Sequence, residues 1–141
     1  MATTYSTTKI EKSAPARAGL GEAIMVTGEF TFTAAPAIND IVRMFVLPKG
    51  AVIGEMVLTS DDLDTGGTPT IMLQVGDSTT ADRFFAASNI AQAGGMARMD
   101  KRGDIGKPLT ANTEVRVKVS TGPATGATGT IRLVAIYSME Q

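Results

Sequence analysis

The chain has 141 residues, enough for one domain with a sizeable core, and its 13 basic residues are balanced by 14 acidic ones, so no basic excess marks a nucleic-acid-binding surface. Its apolar runs have the length of strands, well short of the roughly 20 residues that span a membrane. The absence of Cys and His excludes disulfides, thiolate nucleophiles, zinc–thiolate sites and Ser–His triads.

Residues 1–20 are polar and rich in Thr and Ser, and they are interrupted by Pro15 and Gly19. We interpret them as an N-terminal arm, extended or flexible, that precedes one domain over residues 21–141. The arm is either a loose terminus or a segment that becomes ordered on a neighbouring subunit. It lacks the apolar centre of a secretory signal, so we expect no export.

The first predicted strand covers residues 23–33. Its apolar side chains share one parity, and Gly28 interrupts the pattern at a position typical of a β-bulge. Residues 34–39 contain Pro36 and are predicted to form a connector. A second strand is predicted over residues 41–47, and the Pro-Lys-Gly sequence at 48–50 predicts a turn after it.

Residues 45–77 contain two apolar segments separated by an acidic segment. Strands are predicted at 52–59 and 71–75, and the connection between them is acidic and rich in turn-forming residues. We therefore predict a hairpin-like unit with a long loop.

The next residues are predicted to be less regular. Ser78 or Thr79 is placed to cap a short helix that runs to Ala87, with Asp82 in its first turn. The segment that follows, to Gly95, is predicted to be a helical turn or an irregular loop. Residues 96–106 are highly charged, so we predict an exposed loop there.

The C-terminal part gives the clearest pattern. In residues 113–120 Val alternates with charged residues, which predicts a half-buried strand. The Gly-rich residues 121–129 predict a turn region. Residues 130–139 predict the last strand, and because it is apolar on both faces we expect it to be central in its sheet. We expect the last two strands to form an antiparallel hairpin.

The fold prediction is an all-β domain with six to eight short strands. Aromatic residues make up 5% of the chain, so the core must consist mainly of aliphatic side chains. Frequent Gly between short β-branched runs is typical of an antiparallel β-sandwich. A jelly roll is one such topology, and a closed barrel is the alternative.

Two interpretations of the acidic loop involve chemistry. Asp64-Thr65-Gly66 matches the triplet of aspartic proteases, whose two aspartates share one proton. Here the triplet lies inside a loop and no second such element follows, so a capped turn is favoured. The cluster of Asp61, Asp62 and Asp64 could contribute to a calcium site if Asp77, Asp82 or Asp104 came close, but it lacks the EF-hand pattern, and a solvated loop is the simpler interpretation.

The charged residues 98–104 contain a small basic patch, formed by Arg98, Lys101 and Arg102, which Asp100 and Asp104 neutralise. We interpret the patch as an exposed loop or part of a subunit contact. No residue pattern predicts a catalytic site, a metal site or a cofactor, and the chain is predicted not to be an enzyme.

Three segments resemble small structural proteins of tailed bacteriophages: LPKGAVIGEMVLTSDDLDTG at 47–66, IMLQVGDSTTADRFFAAS at 71–88 and TGPATGATGTIRLVAIYSM at 121–139. The resemblance implies a capsid decoration, or cement, protein of the virion surface. Such a protein would be made in the host cytoplasm, would form a homotrimer and would bridge neighbouring subunits of the major capsid protein, with no nucleic-acid or membrane partner. The alternatives are a tail, neck or fibre-associated structural protein and a cation-dependent binding module.

Overall fold

The computed structural model describes residues 2–7 and 22–139. These residues contain nine strands and a short 3-10 turn at Ile90–Gln92. The strands are β1 (Thr4–Ser6), β2 (Ile24–Phe32), β3 (Ile41–Leu47), β4 (Ala51–Ser60), β5 (Met72–Gly76), β6 (Phe85–Ser88), β7 (Gly95–Arg98), β8 (Thr113–Thr121) and β9 (Gly129–Met139). Within this part of the chain no helix is long and apolar enough to cross a membrane.

The strands from β2 to β9 pair from the outside inwards, the first of them with the last. β2 pairs with β9, β3 with β8, β4 with β7 and β5 with β6, all antiparallel. The β9–β4 and β8–β5 pairs join these ladders into two sheets. The first sheet, here called sheet A, has the order β1-β3-β8-β5-β6, and the second, sheet B, has the order β2-β9-β4-β7. This is the strand order of a jelly roll. The predicted β-sandwich is confirmed, and the closed barrel was wrong.

Consecutive strands alternate between the sheets, except that β5 and β6 are neighbours in sheet A, and the connections collect at two ends of the sandwich. Loops 33–40, 61–71, 89–94 and 122–128 contact one another at the first end through backbone hydrogen bonds such as Leu63 N–H to Ala91 O and Thr65 N–H to Thr125 O. These four loops contain Asp40, Asp61, Asp62 and Asp64 and no Lys or Arg, so we call this the acidic end. Loops 48–50, 77–84 and 99–112 lie at the opposite end.

The core lies between the inner faces of the two sheets. The alternation predicted for β8 is confirmed, since Val115, Val117 and Val119 are buried. The core face of β9 is also confirmed, and β9 is central between β2 and β4 as expected. β2 has no bulge, because its register with β9 is continuous. Instead, a Cβ on Gly28 would lie 3.0 Å from Met44 Cβ, so glycine permits the two sheets to approach closely here.

Two predicted hairpins were wrong. β4 lies in sheet B and β5 in sheet A, so residues 61–71 cross between the sheets. β8 and β9 are likewise in different sheets. The reason is that each strand buries its apolar face against the opposite sheet, while its hydrogen-bond partner comes from a distant part of the chain.

The predicted helix at residues 78–87 was also wrong. Asp77 Oδ1 accepts hydrogen bonds from the backbone N–H groups of Thr79 and Thr80, at 2.9 and 2.7 Å, which forms a turn. Phe85 then pairs with Val75 as the start of β6. The loop predicted at 96–106 begins as strand β7, which pairs with β4 and becomes irregular after Arg98.

The N-terminal residues are part of the sandwich where the structure describes them. β1 pairs in parallel with β3 at the edge of sheet A. The Tyr5 ring lies 4.7 Å from the Phe30 ring and 5.6 Å from the Phe32 ring, measured between centroids, so it covers the open side of the core. Residues 8–20 of the predicted arm lie outside the described residues, and the domain boundary at residue 20 stays a prediction.

Candidate functional site

Asp64, the aspartate of the Asp-Thr-Gly triplet, is buried in the crossover between β4 and β5. Its carboxylate accepts four backbone hydrogen bonds. Thr70 and Ile71 donate from its own loop at 2.7 and 3.2 Å. Ala124 and Thr125 donate from the loop before β9 at 2.9 and 2.7 Å. Burial by itself would raise the pKa of this carboxyl, but the four N–H donors lower the pKa to about 2.

The hydrogen bonds to Asp64 argue against both chemical interpretations of the acidic loop, the protease aspartate and the calcium ligand. A protease aspartate shares a proton with a second carboxylate, whereas Asp64 is ionised and fully engaged by backbone N–H groups. Its oxygens are equally unavailable to a cation. Within residues 2–7 and 22–139, no group of three or more acidic side chains is arranged to hold a metal ion. Asp64 is therefore a clamp that joins two loops of the acidic end.

A second charged cluster lies at the opposite end and centres on Arg83. Its guanidinium donates to Asp77 at 2.7 Å and to Asp104 at 2.9 Å, which joins loop 77–84 to loop 99–112. The hydrogen bonds to Asp104 contribute most to raising the pKa of Arg83 above its usual range. Burial would raise the pKa of Asp77, but its hydrogen bonds from Thr80, Arg83 and Thr79 lower the pKa to about 2.

The basic patch predicted at residues 98–102 is divided in the structure. Arg98 pairs with Glu55 on β4 at 2.6 Å, and Lys101 lies 3.5 Å from Asp82. Asp100, which was expected to neutralise the patch, instead accepts a hydrogen bond from the backbone N–H of Ala86. These residues therefore fasten β7 and its loop to the domain.

The outer faces of the two sheets differ in charge. On sheet B, Glu29 pairs with Arg132 and Glu55 with Arg98, so the charges there balance. On sheet A, the outward side chains of β3 and β8 include Arg43, Arg116 and Lys118, and Glu114 is the acidic residue among them. We call Arg43, Arg116 and Lys118 the cationic face. The alternation over residues 113–120 predicted a charged face that includes Arg116 and Lys118, but it did not predict Arg43 beside them, because β3 is far from β8 in the chain.

No protein-family model and no curated protein matches the sequence. Solved structures do match. A chain in the capsid of Ralstonia phage GP4 is 34% identical, with a TM-score of 0.84 and 99% of each chain covered. A chain in the capsid asymmetric unit of cyanophage Pam1 is 37% identical, with a TM-score of 0.76 and coverage of 91% of this chain and 92% of that one.

This chain belongs to a family of bacteriophage capsid proteins. The capsid of Helicobacter pylori bacteriophage KHP30 contains a chain that is 20% identical, with a TM-score of 0.61, which shows the same fold. The resemblance to phage structural proteins is thereby confirmed. As a phage capsid protein, the chain is a structural component of the virion and not an enzyme. Its functional surfaces are therefore contact surfaces, and the outer faces and loop ends described above are the candidates.

Proposed function

We propose that this protein decorates the outside of a phage head, where it bridges neighbouring subunits of the major capsid protein as a homotrimer. The observation that supports this most directly is the match to the capsid of Ralstonia phage GP4, which covers 99% of both chains. A jelly roll of this size is thus an entire capsid component in that phage. The two matches described above, at 34% and 37% identity, are to chains in phage capsids, which favours the head over the tail, neck or fibre.

The surface favours decoration over building the shell itself. Obligate assembly interfaces are large and hydrophobic, whereas a protein that folds alone and docks later has a mostly polar surface. Among the described residues, the large hydrophobic side chains that are exposed are few: Met25, Ile38, Met96, Ile105 and Ile136. Met25 and Ile136 are cross-strand partners on the outer face of sheet B, and Ile105 lines a pocket with Ile136, so these three form one small patch. Ile38 lies at the acidic end and Met96 on the edge strand β7. This suits a subunit that is stable before it meets the capsid.

Contacts made by the first 20 residues are a separate part of the proposal. We propose that these residues contact the capsid, and the structure determines how a deletion that tests this should be designed. Tyr5 packs against Phe30 and Phe32, so a deletion that removes β1 would damage the core. A deletion should therefore keep residues 2–7 and shorten the chain after them.

The experiment is co-sedimentation of the purified chain with heads that lack it, followed by heating of the heads. We expect saturable binding that raises the temperature at which the heads open. A folded chain that leaves the heads unbound and equally heat-sensitive would refute the decoration role. Binding to isolated tails instead would favour the alternative location, and a cation-dependent module would require a divalent ion for any binding.

A further inference from the structure

The cationic face places like charges directly opposite each other. Arg43 on β3 is the cross-strand partner of Arg116 on β8, and Lys118 lies two residues further along the same face of β8. Like charges at opposed positions of two strands are destabilising, so this pairing needs either counter-charges or a function.

The counter-charges on this face are incomplete. Glu114 accepts hydrogen bonds from both arginines, so one carboxylate serves two guanidinium groups. Lys118 has no ion-pair partner among the described residues. The buried Nε–H of Arg116 also has no acceptor there. A second anion would complete the set.

A pocket of about 200 Å³ opens beside these groups, lined by Arg116 and Lys118 on β8 and by the turn at residues 77–81. Asp77 also lines it, but its carboxylate is already engaged by Thr79, Thr80 and Arg83. The pocket can therefore receive a carboxylate from outside. Its size fits one or two side chains, which favours an acidic protein loop over a nucleic-acid backbone.

The acidic end of the same chain has the complementary property. Asp61 is exposed and Asp62 is half-buried, and their loop contains no Lys or Arg. The Asp64 clamp joins this loop to loop 122–128, which gives the loop a fixed support. Asp61 and Asp62 each accept one backbone hydrogen bond within the chain, through Oδ2 and Oδ1 respectively, so each presents its other carboxylate oxygen to a partner. A preorganised loop loses little conformational entropy when it binds.

We propose that the acidic end of one copy, through Asp61 and Asp62, docks on the cationic face of the next copy. Two different surfaces are joined, so the contact is heterologous, and a rotation of one third of a turn between copies would close it into the proposed trimer. Paired opposite charges across such a contact fix its register and suppress wrong pairings. This inference rests on the proposed homotrimer and names the surfaces that form it.

The test uses charge reversal followed by restoration. Lys118→Glu and Asp62→Lys each place like charges across the contact, so each should weaken association by about tenfold or more. The double variant Lys118→Glu/Asp62→Lys places opposite charges across every contact of the ring, so it should regain the wild-type mass. Lys107→Glu is the matched control, since Lys107 is exposed in loop 99–112 and belongs neither to the acidic end nor to the cationic face or its pocket, so it should leave association unchanged. Sedimentation equilibrium gives the mass, and thermal melting checks that each variant is folded.

The outcomes separate this inference from the proposed function. Single variants that keep the wild-type mass, or a double variant no better than the single ones, would overturn the docking arrangement while the trimer stands. A wild-type chain that is monomeric at every concentration, and on heads, would remove the trimer and this contact together. Protection of the cationic face by added DNA in place of a second copy would also overturn it.

Discussion

Replacing Leu63 with alanine should destabilise the protein strongly, although Leu63 lies in a loop and not in a strand. Its side chain is fully buried in the crossover between the sheets. Its backbone is held on both sides, because its N–H donates to Ala91 O at 2.8 Å and its carbonyl accepts from Ala127 N–H at 3.1 Å. The site therefore has little freedom to collapse around a smaller side chain.

The expected loss has two parts. Leu63→Ala removes three carbon groups, each worth about 0.8 kcal/mol of burial, or about 2.4 kcal/mol together. A cavity that stays open adds about 24 cal/mol for each Å³, so a residual volume of about 60 Å³ adds about 1.5 kcal/mol. The sum is about 4 kcal/mol. For a domain of this size, that corresponds to a fall in melting temperature on the order of 15 °C.

The assay is urea denaturation with thermal melting, and the matched control is Ile38→Ala. Ile38 is an apolar residue at the same end of the sandwich, but its side chain is 54% exposed. The control should therefore lose less than about 1 kcal/mol. If Leu63→Ala were no more destabilising than Ile38→Ala, this would refute the claim that Leu63 anchors the crossover loop in the core.

Two further predictions concern the loops. The pKa values of Asp64 and Asp77 are about 2 in the folded chain, against about 3.9 for an ordinary unfolded Asp, so their contribution to stability is present above about pH 4 and should be lost as the pH falls towards 2. Asp64→Asn should therefore reduce the fall in melting temperature over this pH range. A melting-temperature profile that the substitution leaves unchanged would contradict the role of Asp64 as a clamp. Gly76→Ala should destabilise the protein because the new Cβ would lie 2.0 Å from a backbone carbonyl oxygen in the following turn, whereas Gly67→Ala, with nothing within 4 Å, should be close to neutral in the same melting assay.

Local pattern was enough to predict the class of the fold and several of its strands. The strands predicted at residues 113–120 and 130–139 were both confirmed, because the alternation of buried and exposed side chains depends only on residues that are adjacent in the sequence. Strands β6 and β7 were missed. Their sequences, FAAS and GMAR, are short and contain small residues, and they are strands because they pair with β5 and β4.

Local sequence pattern could not predict which sheet each strand joins or which residues form the contact surfaces. This jelly roll pairs β2 with the last strand, β9, as at Phe30 and Ile131, and no local pattern encodes such a distant partner. The same holds for the Asp64 clamp, whose donors at Ala124 and Thr125 lie far along the chain. The sequence showed that the loop is acidic, but only the structure shows that loop 122–128 lies against it and is held by Asp64.

We propose that this chain decorates a head built by another protein. The most direct measurement is electron microscopy of lysates from a phage in which the gene for this chain is deleted, combined with the composition of purified particles. If the chain decorates the head, heads of normal size should still form, lack the chain and open at a lower temperature than wild-type heads. Absence of any assembled head would contradict it, and would make this chain the subunit that builds the shell.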